Sequence, residues 1–101
     1  MVIFIDIDGT ICNTPDVSDY SVSYPIEKNI NIANNLYNEG HTIIYWTARG
    51  TVTKKDWREV TEKQLKMWNV KYHELRMGKP YYDLFIDDKN INAKDFDKLP
   101  V

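Results

Sequence analysis

Two aspartates one residue apart, Asp6 and Asp8, follow directly on the apolar run Val2-Ile3-Phe4-Ile5 and precede Gly9-Thr10. The run reads as a strand buried on both faces, so the carboxylates stand where that strand ends, beside the core. Two carboxylates about 4 Å apart repel by roughly 4 kcal/mol at an effective dielectric of 20, and the pair therefore asks for a compensating cation. The same arrangement returns late in the chain, where Tyr82-Asp83-Leu84-Phe85-Ile86 runs into Asp87 and Asp88. Carboxylates from two strands, with a single cysteine and no suitable histidine pair, favour a hard octahedral cation, and Mg²⁺ is the natural candidate. Thr47 and Arg49 follow a third apolar run, and Lys79 follows Gly78. A hydroxyl and an ammonium beside such a site suit a phosphoryl group, with Arg49 as a further substrate contact. One aspartate could then attack phosphorus to form an aspartyl-phosphate, while a second protonates the leaving oxygen and later activates water.

Those residues must be carried by elements that end in one place. After the first strand, residues 11–24 form a loop with Pro15, three serines and no clear period, long enough to serve as a wall of a site. Pro25 is placed to open a helix whose apolar positions Ile26, Ile30, Ala33, Leu36 and Tyr37 share a face, with Gly40 as terminator. Thr42-Ile43-Ile44-Tyr45-Trp46 is a second buried strand. The spacing of Trp57, Val60, Gln64, Leu65 and Trp68 predicts a helix over 53–69, with Thr53 and Asp56 as its start signal. Val70, Tyr72 and Leu75 suggest a strand over 70–77, residues 82–86 the last strand, and 93–99 a short helix stopped by Pro100. Strands alternating with helices argue for a parallel sheet with right-handed crossovers, whose carboxyl strand ends line the ligand crevice. Asp6, Asp8, Thr47, Arg49, Lys79, Asp87 and Asp88 all fall at or just beyond such ends.

Composition narrows the class. The 101 residues suffice for one domain over 1–101, and 43% hydrophobic content is that of a packed globule. Lys and Arg total 13 against 15 acids, so the chain as a whole has no basic footprint for nucleic acid. The longest apolar run is too short to span a bilayer and no leader precedes the first strand, which predicts a cytoplasmic protein without a membrane partner. Cys12 is alone and permits no internal disulfide. A calcium loop starting at Asp6 is excluded, because Ile11 falls where Gly is needed and Val17 where Glu is needed.

Asp6-Ile7-Asp8-Gly9-Thr10, Thr47 at a strand end, Lys79 after a gap and Asp87-Asp88 after another strand resemble the four motifs of the haloacid dehalogenase-like superfamily, over roughly residues 2–92. Trp46-Thr47-Ala48-Arg49-Gly50, Thr61-Glu62-Lys63-Gln64-Leu65, Gly78-Lys79-Pro80 and Ile86-Asp87-Asp88-Lys89 look like its small capless phosphatases of polysaccharide synthesis. The resemblance implies a single Rossmann-like three-layer α/β domain without a cap. It also implies a magnesium-dependent phosphomonoesterase, with Asp6 as nucleophile, Asp8 as general acid and base, Thr47 and Lys79 as phosphoryl binders and Asp87 as a metal ligand. Asp8 would reach the metal through its carbonyl, and Asp88 directly or through water. An acid at Asp8 favours ester over halide chemistry, because a leaving alkoxide needs a proton. The expected substrate is a small sugar phosphate, with a nucleotide or polynucleotide 3′-phosphate end as the alternative and an inactive binding module as the rival of another class. With no room for a cap, shielding falls to residues 13–24 or to a neighbouring copy in a homo-oligomer.

Overall fold

The computed structural model describes residues 1–99. Its core is a parallel three-stranded sheet in the order β1-β4-β5, formed by Val2–Ile5, Thr42–Trp46 and Glu74–Arg76. Two helices, α1 (Glu27–Asn38) and α2 (Arg58–Met67), make the crossovers. Register sets Ile3 beside Ile43, Ile5 beside Tyr45 and Tyr45 beside Leu75. Those side chains meet Ile30, Ala33 and Leu36 of α1 and Leu65 of α2 in one hydrophobic cluster. The three α1 residues fall on one face of the helix, as the sequence periodicity requires.

The expectation that β1 is buried on both faces is corrected: Val2 is 64% and Phe4 47% exposed. Only the odd-numbered residues of the strand reach the cluster, and β1 stands at the end of the sheet order. On the other face Phe4 lies edge-on to Trp46, ring centroids 6.0 Å apart, with the Arg76 guanidinium 5.1 Å from its centre.

Residues 82–86 do not form the expected strand, and Leu84 (75%) and Ile86 (87%) are exposed. The physical reason lies in the connection. A parallel strand must begin at the opposite end of the sheet from where the previous one finished, which takes a crossover of roughly a dozen residues or more. Only residues 77–81 lie between β5 and this segment.

Three boundaries also differ from expectation. The 11–24 loop contains a two-residue strand β2 (Cys12–Asn13), a 3-10 turn (Tyr20–Val22) and the start of β3 (Tyr24–Pro25), which pairs back on β2. Pro25 therefore belongs to that hairpin and the helix begins two residues later. The second helix starts at Arg58, because residues 50–55 curl into turns with Gly50 at φ 80° and Lys54 at φ 64°. A Cβ at Gly50 would lie 2.1 Å from the Lys55 carbonyl oxygen, so only glycine permits this curl. Residues 70–77 yield a strand only over Glu74–Arg76, preceded by His73, whose amide donates to the Ile43 carbonyl of β4 and whose Nδ1 accepts from the Ile43 amide at 3.1 Å. The predicted 93–99 helix is a 3-10 stretch, Ala93–Lys98, with Phe96 buried; its stop at Pro100 lies outside the described residues. Among the described residues, no helix is long and apolar enough to cross a membrane.

Candidate active site

The chain reverses sharply at the carboxyl end of β1. Gly9 takes φ 79°, its amide donates to the Cys12 carbonyl at 2.8 Å, and the Thr10 and Ile11 amides both donate to the Ile7 carbonyl. Ile7 is thereby driven into the core at 0% exposure while Asp6 and Asp8, its neighbours on either side, turn outward together.

Asp6 faces Lys79, whose Nζ lies 3.7 Å from its Oδ1. Burial pushes the Asp6 carboxyl above its ordinary value; Lys79 and the Ile7 amide pull it down without fully compensating, and Asp8 adds to the rise. Lys79 is brought there by the backbone. Its amide donates to the Thr47 carbonyl at 2.9 Å, and its own carbonyl accepts from the Thr51 hydroxyl at 2.7 Å. Thr47 itself, 1% exposed, continues β4, its amide donating to the Arg76 carbonyl of β5. Its hydroxyl oxygen accepts from the Arg49 amide at 3.1 Å, which leaves the hydroxyl proton free to be donated elsewhere.

Asp8 is held differently. Arg49 grips it with both arms of the guanidinium, Nε to Oδ2 and Nη2 to Oδ1, each at 2.9 Å. The Thr14 hydroxyl donates to the same Oδ1 and shares a hydrogen bond with Ser23 at 2.8 Å. Burial alone would raise the Asp8 carboxyl; the hydrogen bonds from Arg49 and Thr14 and the charge of Arg49 outweigh it, and the group lies below its ordinary value. Two neighbouring carboxyls are thus pushed in opposite directions by their surroundings.

Arg49 was expected to meet substrate, but its side chain is wholly buried, and the remaining donors are also engaged. Nη1 donates to Gln64 Oε1 at 2.6 Å and to Thr61 Oγ1 at 3.1 Å, and Nη2 also reaches Cys12 Sγ at 3.7 Å. In this arrangement Arg49 orients Asp8 and presents no free fork to a phosphate. Thr14 is a site residue that sequence reasoning did not single out, while Thr61 and Gln64 enter it within the Thr61–Leu65 stretch of the resemblance, with no role attached. By spacing alone Thr61 and Gln64 read as members of an amphipathic helix, and their burial beside an arginine shows what they touch. Cys12 is a packed thiol, pushed by burial and by the Asp8 charge to about 11.

The late acids are placed apart from this cluster. Asp87 and Asp88 sit exposed in a turn where Asp87 Oδ1 accepts from the Lys89 amide at 2.8 Å and its carbonyl accepts from Asn90. Among the described residues, no three acids, histidines or cysteines come together in a way that could hold a metal ion. Asp6 offers a carboxylate and Asp8 a backbone carbonyl, but Asp87 and Asp88 do not join them, so the donors as arranged do not make an oxygen cage for Mg²⁺.

No protein-family profile matches the chain, and no curated protein does. Solved structures do. An MCSG target from Vibrio cholerae superposes with a TM-score of 0.85 at 24% identity, over 99% of this chain and 89% of that one. A chain of the Pnkp1/Rnl/Hen1 complex superposes at 0.62 and 22% identity, over 94% of this chain and 32% of that one. A chain of the Pnkp1/Rnl/Hen1 RNA repair complex gives 0.60 and 19%, over 96% and 29%. The present chain thus spans about a third of the length of those two subunits. These likenesses show the fold: a single small three-layer α/β domain with a parallel core sheet and no added cap, of haloacid dehalogenase-like architecture. None of these structures is described as belonging to polysaccharide synthesis. The expectation that weighs against nucleic acid as a partner is corrected by the likeness to a chain of an RNA repair complex, because it rested on whole-chain charge, which does not report on a short strand end held at one small site.

Proposed function

We propose that this protein is a phosphomonoesterase acting through an aspartyl-phosphate, and that its substrate is the phosphate at a nucleic-acid end, a 3′-phosphate in the first instance. One observation carries the reaction class: at the carboxyl edge of a parallel sheet, one aspartate faces a lysine while its neighbour two residues on is gripped by a buried arginine. The structural likeness to subunits of an RNA repair assembly supports the substrate.

In this reading a carboxylate oxygen of Asp6 attacks phosphorus and the ester P–O bond breaks. The ammonium of Lys79 offsets the charge gathered between Asp6 and the phosphoryl group, and Thr47 donates its free hydroxyl proton to a phosphoryl oxygen. Asp8, ionised on Arg49 in the free protein, takes a proton from solvent as the dianionic phosphate arrives, because added negative charge raises a carboxyl's proton affinity. It gives that proton to the leaving hydroxyl and, ionised again, takes one from the water that hydrolyses the aspartyl-phosphate. No step is routed through a metal.

The test is turnover of a 3′-phosphorylated oligonucleotide measured against sugar phosphates and an aryl phosphate. The oligonucleotide is expected to give the highest kcat/KM, and Asp6→Asn is expected to lower it by at least about a thousandfold with the fold retained. Preference for a sugar phosphate would overturn the substrate, and full activity in the variant would overturn the nucleophile.

A further inference from the structure

Gln64 lies one helical turn beyond Thr61 on α2, 5% exposed, and uses both ends of its amide. Oε1 accepts from Arg49 Nη1 at 2.6 Å, and Nε2 donates to the Tyr20 carbonyl at 2.7 Å. Tyr20 belongs to the 3-10 turn of the loop beside the site, and its ring lies 4.8 Å from the Arg49 guanidinium carbon and edge-on to Trp57 at 5.2 Å. The same loop touches Asp8 a second time through Thr14, which is joined to Ser23 just past the turn. The loop is therefore fastened to the Asp8 carboxylate by two routes, one direct and one through Arg49, and Gln64 is the part of the second route that α2 supplies.

We propose that Gln64 is a positioning residue with a separate task at each end of its amide: Oε1 fixes the Arg49 fork that orients Asp8, and Nε2 seats the Tyr20 turn beside the site. The inference rests on the reading of Asp8 as the acid–base group. A buried amide with a helical backbone behind it is well suited to this, since its oxygen and nitrogen are held at a fixed separation and each has a partner in place. Rotating the amide would place its nitrogen against Arg49 and its oxygen against a carbonyl, breaking both bonds at once, so the two attachments define a single orientation.

Two substitutions separate the tasks. Gln64→Leu removes both bonds, whereas Gln64→Glu keeps the acceptor for Arg49 and turns a carboxylate oxygen toward the Tyr20 carbonyl, losing the donor. Amide hydrogen exchange reads the outcome without any substrate. Gln64→Leu is expected to speed exchange about five- to tenfold in both 8–14 and 20–24. Gln64→Glu is expected to do so in 20–24 and to leave 8–14 within about twofold of the parent. On the 3′-phosphorylated oligonucleotide, Gln64→Leu is expected to lower kcat about tenfold and raise KM, and Gln64→Glu to raise KM with less than about a threefold loss in kcat. A purely structural role predicts instead that both variants loosen both segments together, or neither, and either pattern overturns the proposal. Should Gln64→Leu fail to fold, the contrast between 8–14 and 20–24 in Gln64→Glu decides alone. Failure of the substrate reading would show as absent turnover with the exchange pattern intact, so the two claims fall separately.

Discussion

Asp6 and Asp8 are two residues apart and chemically alike, yet their surroundings separate them. Burial wins over Lys79 at the first, and Arg49 with Thr14 wins over burial at the second. The consequences for stability have opposite signs. A carboxyl raised in the folded state opposes folding once it ionises, so replacing Asp6 by Asn removes a cost, which is why its variant is expected to fold. A carboxyl lowered below its ordinary 3.8 contributes stability that is fully present above 3.8 and is lost as pH falls through the folded value. Asp8→Asn is accordingly expected to be less stable than the parent near neutral pH by about 1–3 kcal/mol, with the gap closing under acid. Urea unfolding of both proteins from neutral to acidic pH checks this, and a gap that widens on acidification contradicts the assignment. Tyr45 presents the reverse situation: its hydroxyl is buried without a hydrogen-bond partner among the described residues, and burial pushes it above its ordinary value. Tyr45→Phe is expected to match or exceed the parent in Tm; a loss of more than about 1 kcal/mol would show that the hydroxyl has a partner.

At the level of elements, the chemistry is delivered by what each segment does on leaving the sheet. β1 ends in the Gly9 reversal, β4 in a turn that buries Arg49, and β5 in a short extension that brings Lys79 under Thr47. The amphipathic faces of α1 and α2 are readable from spacing because a buried helical face repeats locally. Residues 82–86 mislead for the same reason: an apolar run shows that a segment could be a strand, but pairing depends on whether a neighbouring edge can be reached. The difference is measurable. Leu65→Ala, at a fully buried position of α2, is expected to cost about 2–5 kcal/mol, whereas Leu84→Ser is expected to cost less than about 0.5 kcal/mol. Equal losses in urea unfolding would mean that Leu84 is packed after all.

For the molecule as a whole, the strand order β1-β4-β5 brings three strand ends to one edge and so assembles Asp6, Asp8, Thr47, Arg49 and Lys79. It does not add Asp87 and Asp88, whose polar contacts are local. A magnesium requirement of the kind the motif resemblance implies would need that turn to meet Asp6. If it exists, EDTA is expected to lower turnover by at least about a hundredfold and added Mg²⁺ to restore it while slowing amide exchange across 82–88. Unchanged turnover in EDTA with unchanged exchange would set aside the magnesium requirement that the motif resemblance implies. The identity of the strand-end residues, the parallel α/β class and the amphipathic faces were legible in the chain alone, because each follows from residue type and a repeat of two or 3.6 positions. What Arg49 does was not legible, and neither were the roles of Thr14, Thr61 and Gln64, nor the separation of Asp87 from Asp6. Those depend on which side chains meet across the chain, as Thr14 meets Asp8 six positions away and Gln64 meets Arg49 and Tyr20, 15 and 44 positions away. Such meetings are settled by packing and by where the chain can reach, and no local pattern encodes them.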